Sequence, residues 1–206
     1  MELNQSNQIN PWVSIWLHPK KTMGYLLATD PRKYILWLAI IGGILSSIPW
    51  INQFWIQYPE NKSLIRILVI FITIIIGGLI GIAYLYLGGW LYKLTGSWLG
   101  GKGDFIQAKC AVGWANYPFI VASLFALFNL AVIPNPWLQG IMGLLYVILV
   151  IWAFIIFMNL LAQAHQFSAW KSLLSFFITL FLVFAALMVI ALLTPLISPL
   201  FVATIL

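Results

Sequence analysis

The residues that come closest to a chemical motif lie between Gly96 and Gly103. The run GSWLGGKG matches the G-x4-G-K pattern of a phosphate-binding loop, in which backbone N–H groups and a lysine hold phosphates. That loop also needs a preceding strand and a Ser or Thr after the lysine, whereas here a membrane-type helix precedes and Gly103 follows Lys102. We interpret the match as chance and expect a flexible, glycine-rich cytoplasmic loop. Its candidate contacts for a partner are Gly100, Gly101, Lys102 and Gly103.

Other side chains that could do chemistry are few and scattered. His18 and His165 have no Cys, His or carboxylate at metal-ligand spacing, and both are expected at the cytoplasmic interface. The single cysteine, Cys110, excludes an internal disulfide. No G-x-S-x-G elbow is present, and no acid falls inside an apolar run. The sequence therefore predicts no catalytic residue, no metal and no cofactor, and so no enzyme. The four acids are Glu2, Asp30, Glu60 and Asp104.

The composition indicates a protein that folds in a lipid bilayer. Of 206 residues, 63% are hydrophobic and only 7% are charged, and the mean hydropathy is +1.03. Soluble domains are typically about 45–50% apolar and about 25% charged. The net charge of +6 comes from bases beside apolar runs, which is typical of topology signals and contacts to lipid head groups. We expect the lipid bilayer as a partner and no nucleic acid.

Five apolar runs are close to the length of about 20 residues that crosses the hydrocarbon core. The predicted fold is all-α, a polytopic transmembrane bundle of about five helices over residues 34–206. A short N-terminal segment, residues 1–33, is expected to be cytoplasmic or interfacial, with amphipathic helical character. The predicted spans cover residues 34–51, 65–92, 117–133, 138–162 and 172–193.

Prolines and loop lengths predict where these spans begin and end. Asp30-Pro31 is expected to open the first span as N-cap and first helical position, and Pro49 to mark its far end. Pro195 and Pro199 are expected to end the fifth span. The short loop at residues 134–137 predicts that spans three and four form an antiparallel hairpin.

The positive-inside rule predicts the orientation of the bundle. With the N-terminus inside, eight bases lie on the cytoplasmic side and two lie outside. We therefore expect a multi-pass protein with a cytoplasmic N-terminus and an external C-terminus. The inner bases are Lys20, Lys21, Arg32, Lys33, Lys93, Lys102, Lys109 and Lys171, and the outer ones are Lys62 and Arg66.

The N-terminal segment is expected to form two short helices. Asn10-Pro11 is typical of a helix start, and His18-Pro19 breaks that helix before a second one over residues 20–28. Two placements stay open: the helices lie flat on the inner leaflet, or they cap the bundle. The candidate membrane-interface residues are Trp12, Trp16, Lys20 and Lys21.

Small and polar residues inside the spans indicate helix packing. Gly77, Gly81 and Gly88 fall on one face of span two, where glycine lets another helix approach closely, either within this chain or from a second protein. Asn116 and Asn159 (or Gln163) are expected at similar depth, where they could hydrogen-bond across the hairpin. We interpret all of these as packing residues.

Four stretches resemble bacterial Yip1-domain proteins. They are NPWVSIWLHPKKT at residues 10–22, GGWLYKLTG at 88–96, LGGKGDFIQ at 99–107 and GWANYP at 113–118. The resemblance extends from about residue 10 to the end of the chain. It implies a cytoplasmic N-terminal segment, five spans, a bacterial plasma membrane and no catalytic residue. Eukaryotic members act in vesicle traffic through small GTPases and carry a longer acidic and aromatic cytoplasmic segment, and the residues before Pro11 show nothing similar.

Two functions fit these observations. The first is a non-enzymatic adaptor or scaffold subunit for a membrane partner, such as export or trafficking machinery, or for self-association. The second is a carrier or scramblase for a lipid or neutral amphiphile. The lack of an ionisable residue near the middle of any span argues against ion-coupled transport.

Overall fold

The computed structural model describes residues 9–57, 63–132 and 135–205, except the side chains at 52, 55–56, 128–132 and 195–205. Within these ranges the chain forms helices and short turns, and no strand occurs. The all-α prediction is confirmed. The described helices are α1 (Pro11–Leu17), α2 (Pro19–Thr29), α3 (Ile35–Gln57), α4 (Ser63–Trp98), α5 (Phe105–Val132), α6 (Pro136–His165) and α7 (Ala169–Ile205).

The two N-terminal helices begin where the sequence predicts. The Asn10 side chain accepts a hydrogen bond from the Trp12 N–H at 3.1 Å, and Pro11 occupies the first turn of α1. His18 lies between the helices, ending α1 and preceding Pro19 of α2. The chain therefore turns a corner at His18 instead of forming one continuous surface helix.

Four described helices are long and apolar enough to cross a membrane, and α3 adds a shorter apolar stretch, Ile35–Ile51. Their mean hydropathy over the best window ranges from 1.5 to 3.0. Such segments need the bilayer as their solvent, so the chain is a multi-pass helical membrane protein. The four stretches are Ser63–Trp98, Phe105–Leu127, Pro136–His165 and Ala169–Thr194.

The helices continue past the prolines that were expected to mark the ends of the first and fifth spans. α3 continues past Pro49 to Gln57, and α5 begins at Phe105, with Pro118 in its interior. α7 likewise runs through residues 195 and 199 to Ile205. Proline has no N–H to donate to the carbonyl one turn earlier. In a membrane bundle, neighbouring helices and small local adjustments satisfy that carbonyl, so a proline inside a helix is tolerated.

The start of the first span also differs from the prediction. Asp30 is the residue after α2, and its carboxylate accepts the Arg32 N–H at 3.0 Å in a local turn. Tyr34 then takes a left-handed conformation with φ of 65°, and α3 begins at Ile35. Asp30 therefore closes a turn between α2 and α3 and does not cap the span.

Helices α4 to α7 contact one another in cyclic order, and the other three helices pack against them. α4 packs on α5, α5 on α6, α6 on α7, and α7 back on α4. α3 packs against both α4 and α5, while α2 packs mainly against α6 and carries α1 with it. The predicted pairing of spans three and four is the contact between α5 and α6.

The core joins the N-terminal helices to the rest of the bundle. Ile15 of α1 and Met23 of α2 are fully buried, in one cluster with Trp114 of α5 and Leu160 of α6. Of the two placements left open by the sequence, the structure has the N-terminal helices packed on the bundle. The outward faces of α4, α6 and α7 expose large apolar side chains, as surfaces in contact with lipid do.

Candidate functional site

The glycines of α4 face other helices of the same chain. A Cβ on Gly81 would overlap the carbonyl oxygen of Ala39 on α3, and one on Gly77 would lie 2.9 Å from the carbonyl oxygen of Gly43. Gly88 faces α5, where a Cβ would lie 3.4 Å from Val112 Cγ1. The close contact along Gly77 and Gly81 is therefore occupied by α3, and a second protein is not needed to fill it.

The two asparagines do not pair across the hairpin, so that prediction is wrong. The Asn116 amide donates to the Val112 carbonyl at 3.0 Å, within its own helix. The Asn159 amide likewise donates to the Ile155 carbonyl at 2.8 Å. A short Asn side chain bonds the carbonyl one turn back when no other partner is within reach.

Asn116 instead borders a cavity among α3, α4 and α5. The cavity has a volume of about 380 Å³, and its floor includes Gly42 and Gly43. A Cβ on Gly42 would lie 2.9 Å from Asn116 Oδ1, so the side chain closely approaches that helix. Hydrogen-bonding groups in an apolar cavity are the usual feature of a ligand site. Those lining this one are Ser46, Tyr84, Asn116 and Ser123.

The glycine-rich segment between α4 and α5 is a short turn that backbone hydrogen bonds connect to both neighbouring helices. The Gly101 N–H donates to the Gly96 carbonyl at 2.9 Å, and the Lys102 N–H donates to the His165 carbonyl at 3.0 Å. Asp104 and Gln107 exchange reciprocal hydrogen bonds of 2.8 and 3.1 Å that cap α5. Backbone and cap bonds thus fix the turn against the end of α6.

His165 is the residue that these glycines surround. It is fully buried, stacked on Phe167 with ring centroids 5.2 Å apart, and lies against Gly96, Gly101 and Gly103. Neither ring nitrogen has a hydrogen-bond partner among the described residues, and the nearby Tyr92 carbonyl lies outside hydrogen-bonding geometry. The ring is not exposed at a surface, because glycines about 65 residues earlier in the sequence close over it.

The outer side of this turn carries bases and aromatic rings. We call Trp98, Gly100, Lys102, Trp170 and Lys171 the turn surface. Trp98 and Trp170 are 58% and 80% exposed, and both lysines are exposed. The Lys171 ammonium donates to the Leu99 carbonyl at 3.0 Å, so α7 also fixes the turn. Of the predicted contact residues, Gly100 and Lys102 are exposed, whereas Gly103 is buried.

A buried hydroxyl cluster, not anticipated from the sequence, joins α4 to α7. Thr95 Oγ1 lies 2.7 Å from Ser175 Oγ and 3.0 Å from Thr179 Oγ1. Ser172, one turn before Ser175, is also buried, and its hydroxyl has no hydrogen-bond partner among the described residues. The sequence carries a signal for this cluster, because the spacing of Ser172, Ser175 and Thr179 puts three hydroxyl groups on one face of an otherwise apolar helix.

The candidate interface residues separate into two groups. The Trp12 ring packs on Trp114 and Tyr117 with centroid distances of 4.8 and 5.0 Å, and the Trp16 carbonyl accepts the indole N–H of Trp152 at 3.2 Å. The tryptophans thus hold α1 on the bundle. Lys20 and Lys21 remain exposed.

Titratable and metal-ligating groups do not converge in the part of the chain that the structure describes. No three His, Cys, Asp or Glu side chains there form a group that could hold a metal ion. Cys110 is a free, buried thiol. What the described residues offer is a basic turn held by hydrogen bonds, a cavity among the membrane helices and apolar outer faces.

Comparison with known proteins gave one family. The family model described as the Yip1 domain matches residues 13–192. No curated protein and no solved structure matches the chain.

Proposed function

The chain belongs to the Yip1 domain family, and from this premise we propose that it is a non-enzymatic adaptor or scaffold subunit in the membrane. It would bind a membrane partner, such as a component of export or trafficking machinery, through the turn surface. The observation that carries the proposal is the fixation of the turn by α4, α6 and α7 together. An ordered surface loses little conformational entropy on binding, which favours association.

The charge of the turn surface specifies the chemistry of the partner. Lys102 and Lys171 are exposed on the turn surface, Lys93 is exposed on α4 ahead of it, and Asp104 is the acid at the end of the turn. Acidic side chains on the partner would complement these lysines, and exposed Trp98 and Trp170 supply the aromatic contact area that interfaces favour. A partner at a membrane surface would meet all of these groups together.

We further propose that the protein lies in a bacterial plasma membrane with its N-terminus and turn surface in the cytoplasm. The support is the positive-inside bias of its bases. Single cysteines at Ser97 and Gly140, in a Cys110→Ala background, test this with a membrane-impermeant maleimide. We expect labelling of Gly140→Cys in intact cells, and of Ser97→Cys only after permeabilisation. The reverse pattern would invert the topology.

Site-specific photo-crosslinking tests the adaptor role. A photo-reactive residue at Lys102 should capture one discrete membrane protein, whereas the same residue at Gly140, near the other end of α6, should not. Gly101→Leu would clash with His165 and displace the turn, so we expect it to abolish capture at Lys102. Equal capture from both positions, or capture that survives Gly101→Leu, would count against the proposal.

The cavity beside Asn116 favours a second candidate function, a carrier or scramblase for a lipid or neutral amphiphile. Its polar groups lie among membrane helices and none is ionisable at neutral pH, which suits a neutral head group. Reconstituted vesicles containing a labelled lipid provide the test. Lipid movement that Ser123→Leu reduces would support this function, and absence of movement would remove it.

A further inference from the structure

A second cavity lies between the corner of α1 and α2 and the outer face of α6. We call it the α6 groove, and its volume is about 410 Å³. Its walls are mainly apolar, with Leu17 on one side and Trp152 and Ile155 on the other, and they include the amide of Asn159. Its rim carries His18, Lys20 and Lys21. This combination of an apolar wall and a basic rim matches neither a protein core nor an ordinary soluble surface.

The rim of the α6 groove favours an anion. Lys20 and Lys21 are exposed, and none of the described residues lining the groove is acidic. Asp30, the nearest acid along the chain, follows the opposite end of α2. Lys20 and Lys21 also belong to the first turn of α2, where the backbone N–H groups lack partners within the helix and favour negative charge.

The wall of the α6 groove continues into a long apolar track. From Ile155 the track runs back along one face of α6, where every residue is exposed by between 41% and 63%. At about 1.5 Å per residue this face is roughly 20 Å long. One leaflet of the hydrocarbon core is about 15 Å deep, so the track is long enough for an acyl chain. Its residues are Ile141, Leu144, Ile148, Ile151 and Ile155.

The groove is also held in shape. The Trp152 indole N–H donates to the Trp16 carbonyl, which ties α1 to α6 beside the groove. Thr22, on the buried side of α2, bonds both Ser14 and the His18 carbonyl across the corner at 2.9 and 3.0 Å. The positions of Lys20 and Lys21 relative to α6 are therefore set by packing and not only by the bilayer surface.

We propose that the α6 groove binds one phospholipid with a net negative head group. The phosphate would lie between His18, Lys20 and Lys21, and one acyl chain would follow the track on α6. This site is separate from the turn surface and does not depend on the adaptor role. Lys20 and Lys21 would then act in specific lipid binding, beyond general attraction to the inner leaflet.

Native mass spectrometry of the detergent-purified full chain tests this site. Phosphatidylglycerol and phosphatidylcholine with identical acyl chains are titrated in parallel, and the one-lipid complex is measured. We expect tighter binding of phosphatidylglycerol. The double variant Lys20→Gln/Lys21→Gln should weaken that binding by roughly 10- to 30-fold, because each base near a phosphate contributes on the order of a fivefold change.

Matched controls separate a site from diffuse attraction. Lys93→Gln/Lys102→Gln removes the same charge from exposed positions on α4 and in the turn, and should leave phosphatidylglycerol binding within about twofold of the original, because neither lysine lines the groove. Ile155→Trp changes no charge but should fill the groove and so weaken phosphatidylglycerol binding. Leu187→Trp, on the outer face of α7, is its control and should leave that binding unchanged. Equal binding of both lipids, or equal loss in both lysine pairs, would overturn the proposal.

Discussion

Individual glycines in this chain differ in how much room surrounds them, and that difference decides what each one does. A Cβ on Gly81 or Gly43 would overlap the backbone of the facing helix, whereas Gly140 and Gly143 face open space. Glycine is common in membrane helices, so its presence in a span has little meaning without that geometry. The glycines that permit close approach are those at the contact of α3 and α4.

Gly81→Ala should therefore destabilise the bundle. The added methyl meets the backbone at Ala39, which cannot rotate away, so we expect a loss of about 1–3 kcal/mol in the free energy of unfolding. A lower thermal midpoint in detergent would show it. Gly140→Ala is the control and should keep or raise the midpoint, because alanine favours helix. Equal midpoints for the two variants would contradict the packing described.

His165 shows how one buried ring can organise a turn. Its packing against Gly96, Gly101 and Gly103 leaves no space for water, and its own carbonyl accepts the Lys102 N–H. We expect His165→Ala to create a cavity and to loosen the turn. Hydrogen exchange at Gly101 and Lys102 should become at least tenfold faster, corresponding to about 1.4 kcal/mol of local stability. The control is His18→Ala, at an exposed histidine, which should leave the exchange rates of those two amides unchanged. If the amides exchange as slowly in His165→Ala as in the original protein, His165 does not hold the turn.

Among the elements, α7 has the least packing of the four long apolar helices. Only 6% of its most apolar window is buried, against 50% for α5. Its position against α4 depends on hydroxyl contacts, since Thr95 bonds both Ser175 and Thr179. In a membrane, hydrophobic exclusion does not drive helices together, so such polar contacts contribute to specificity.

Thr95→Val should weaken the contact between α4 and α7. The change keeps the shape but removes both interhelical hydrogen bonds, so we expect a loss of about 1 kcal/mol. Thr73→Val on the same helix is the control, because its hydroxyl bonds only the Val69 carbonyl of α4. Thermal unfolding of both variants in the same detergent gives the comparison. A larger loss in Thr73→Val would show that the buried cluster has no special contribution.

At the scale of the whole molecule, the N-terminal helices are part of the bundle. Trp12 contacts the rings of Tyr34, Trp114 and Tyr117, with centroid distances of 4.8 to 5.4 Å. Ile15 and Met23 complete the core below them. The exposed faces of α1 and α2 remain available to lipid, so packing on the bundle and contact with the bilayer occur together.

Trp12→Ala should release these helices without unfolding the rest of the bundle. Loss of three aromatic contacts, each contributing about 0.5–1.5 kcal/mol, should raise the fraction of time that α1 and α2 spend detached. Limited trypsin digestion in detergent should then cleave after Lys20 or Lys21 faster than in the original protein. Val13→Ala is the control, because Val13 is 64% exposed. Unchanged cleavage in Trp12→Ala would show that α1 is held by other contacts.

The sequence by itself determined that this is an all-α membrane protein with an N-terminal pair of short helices. Long apolar runs require the bilayer as solvent, and an Asn-Pro pair starts a helix through bonds between neighbouring residues. Both features can therefore be predicted from the sequence alone. Pro49, Pro195 and Pro199 do not end their helices as expected, because they lie inside bundle helices whose neighbours compensate for the missing bond. The family resemblance was also readable from local motifs.

Only the tertiary structure decided which residues meet. Helices α5 and α6 separate Gly96 from His165 and Thr95 from Ser175 in the sequence, and no local pattern pairs these residues. Asn116 and Asn159 were expected at similar depth, but each bonds its own helix, since side-chain direction depends on how the helices rotate against each other. Burial, rotation and contact between distant segments arise from packing of the whole bundle, whereas membrane class and helix starts arise from neighbouring residues.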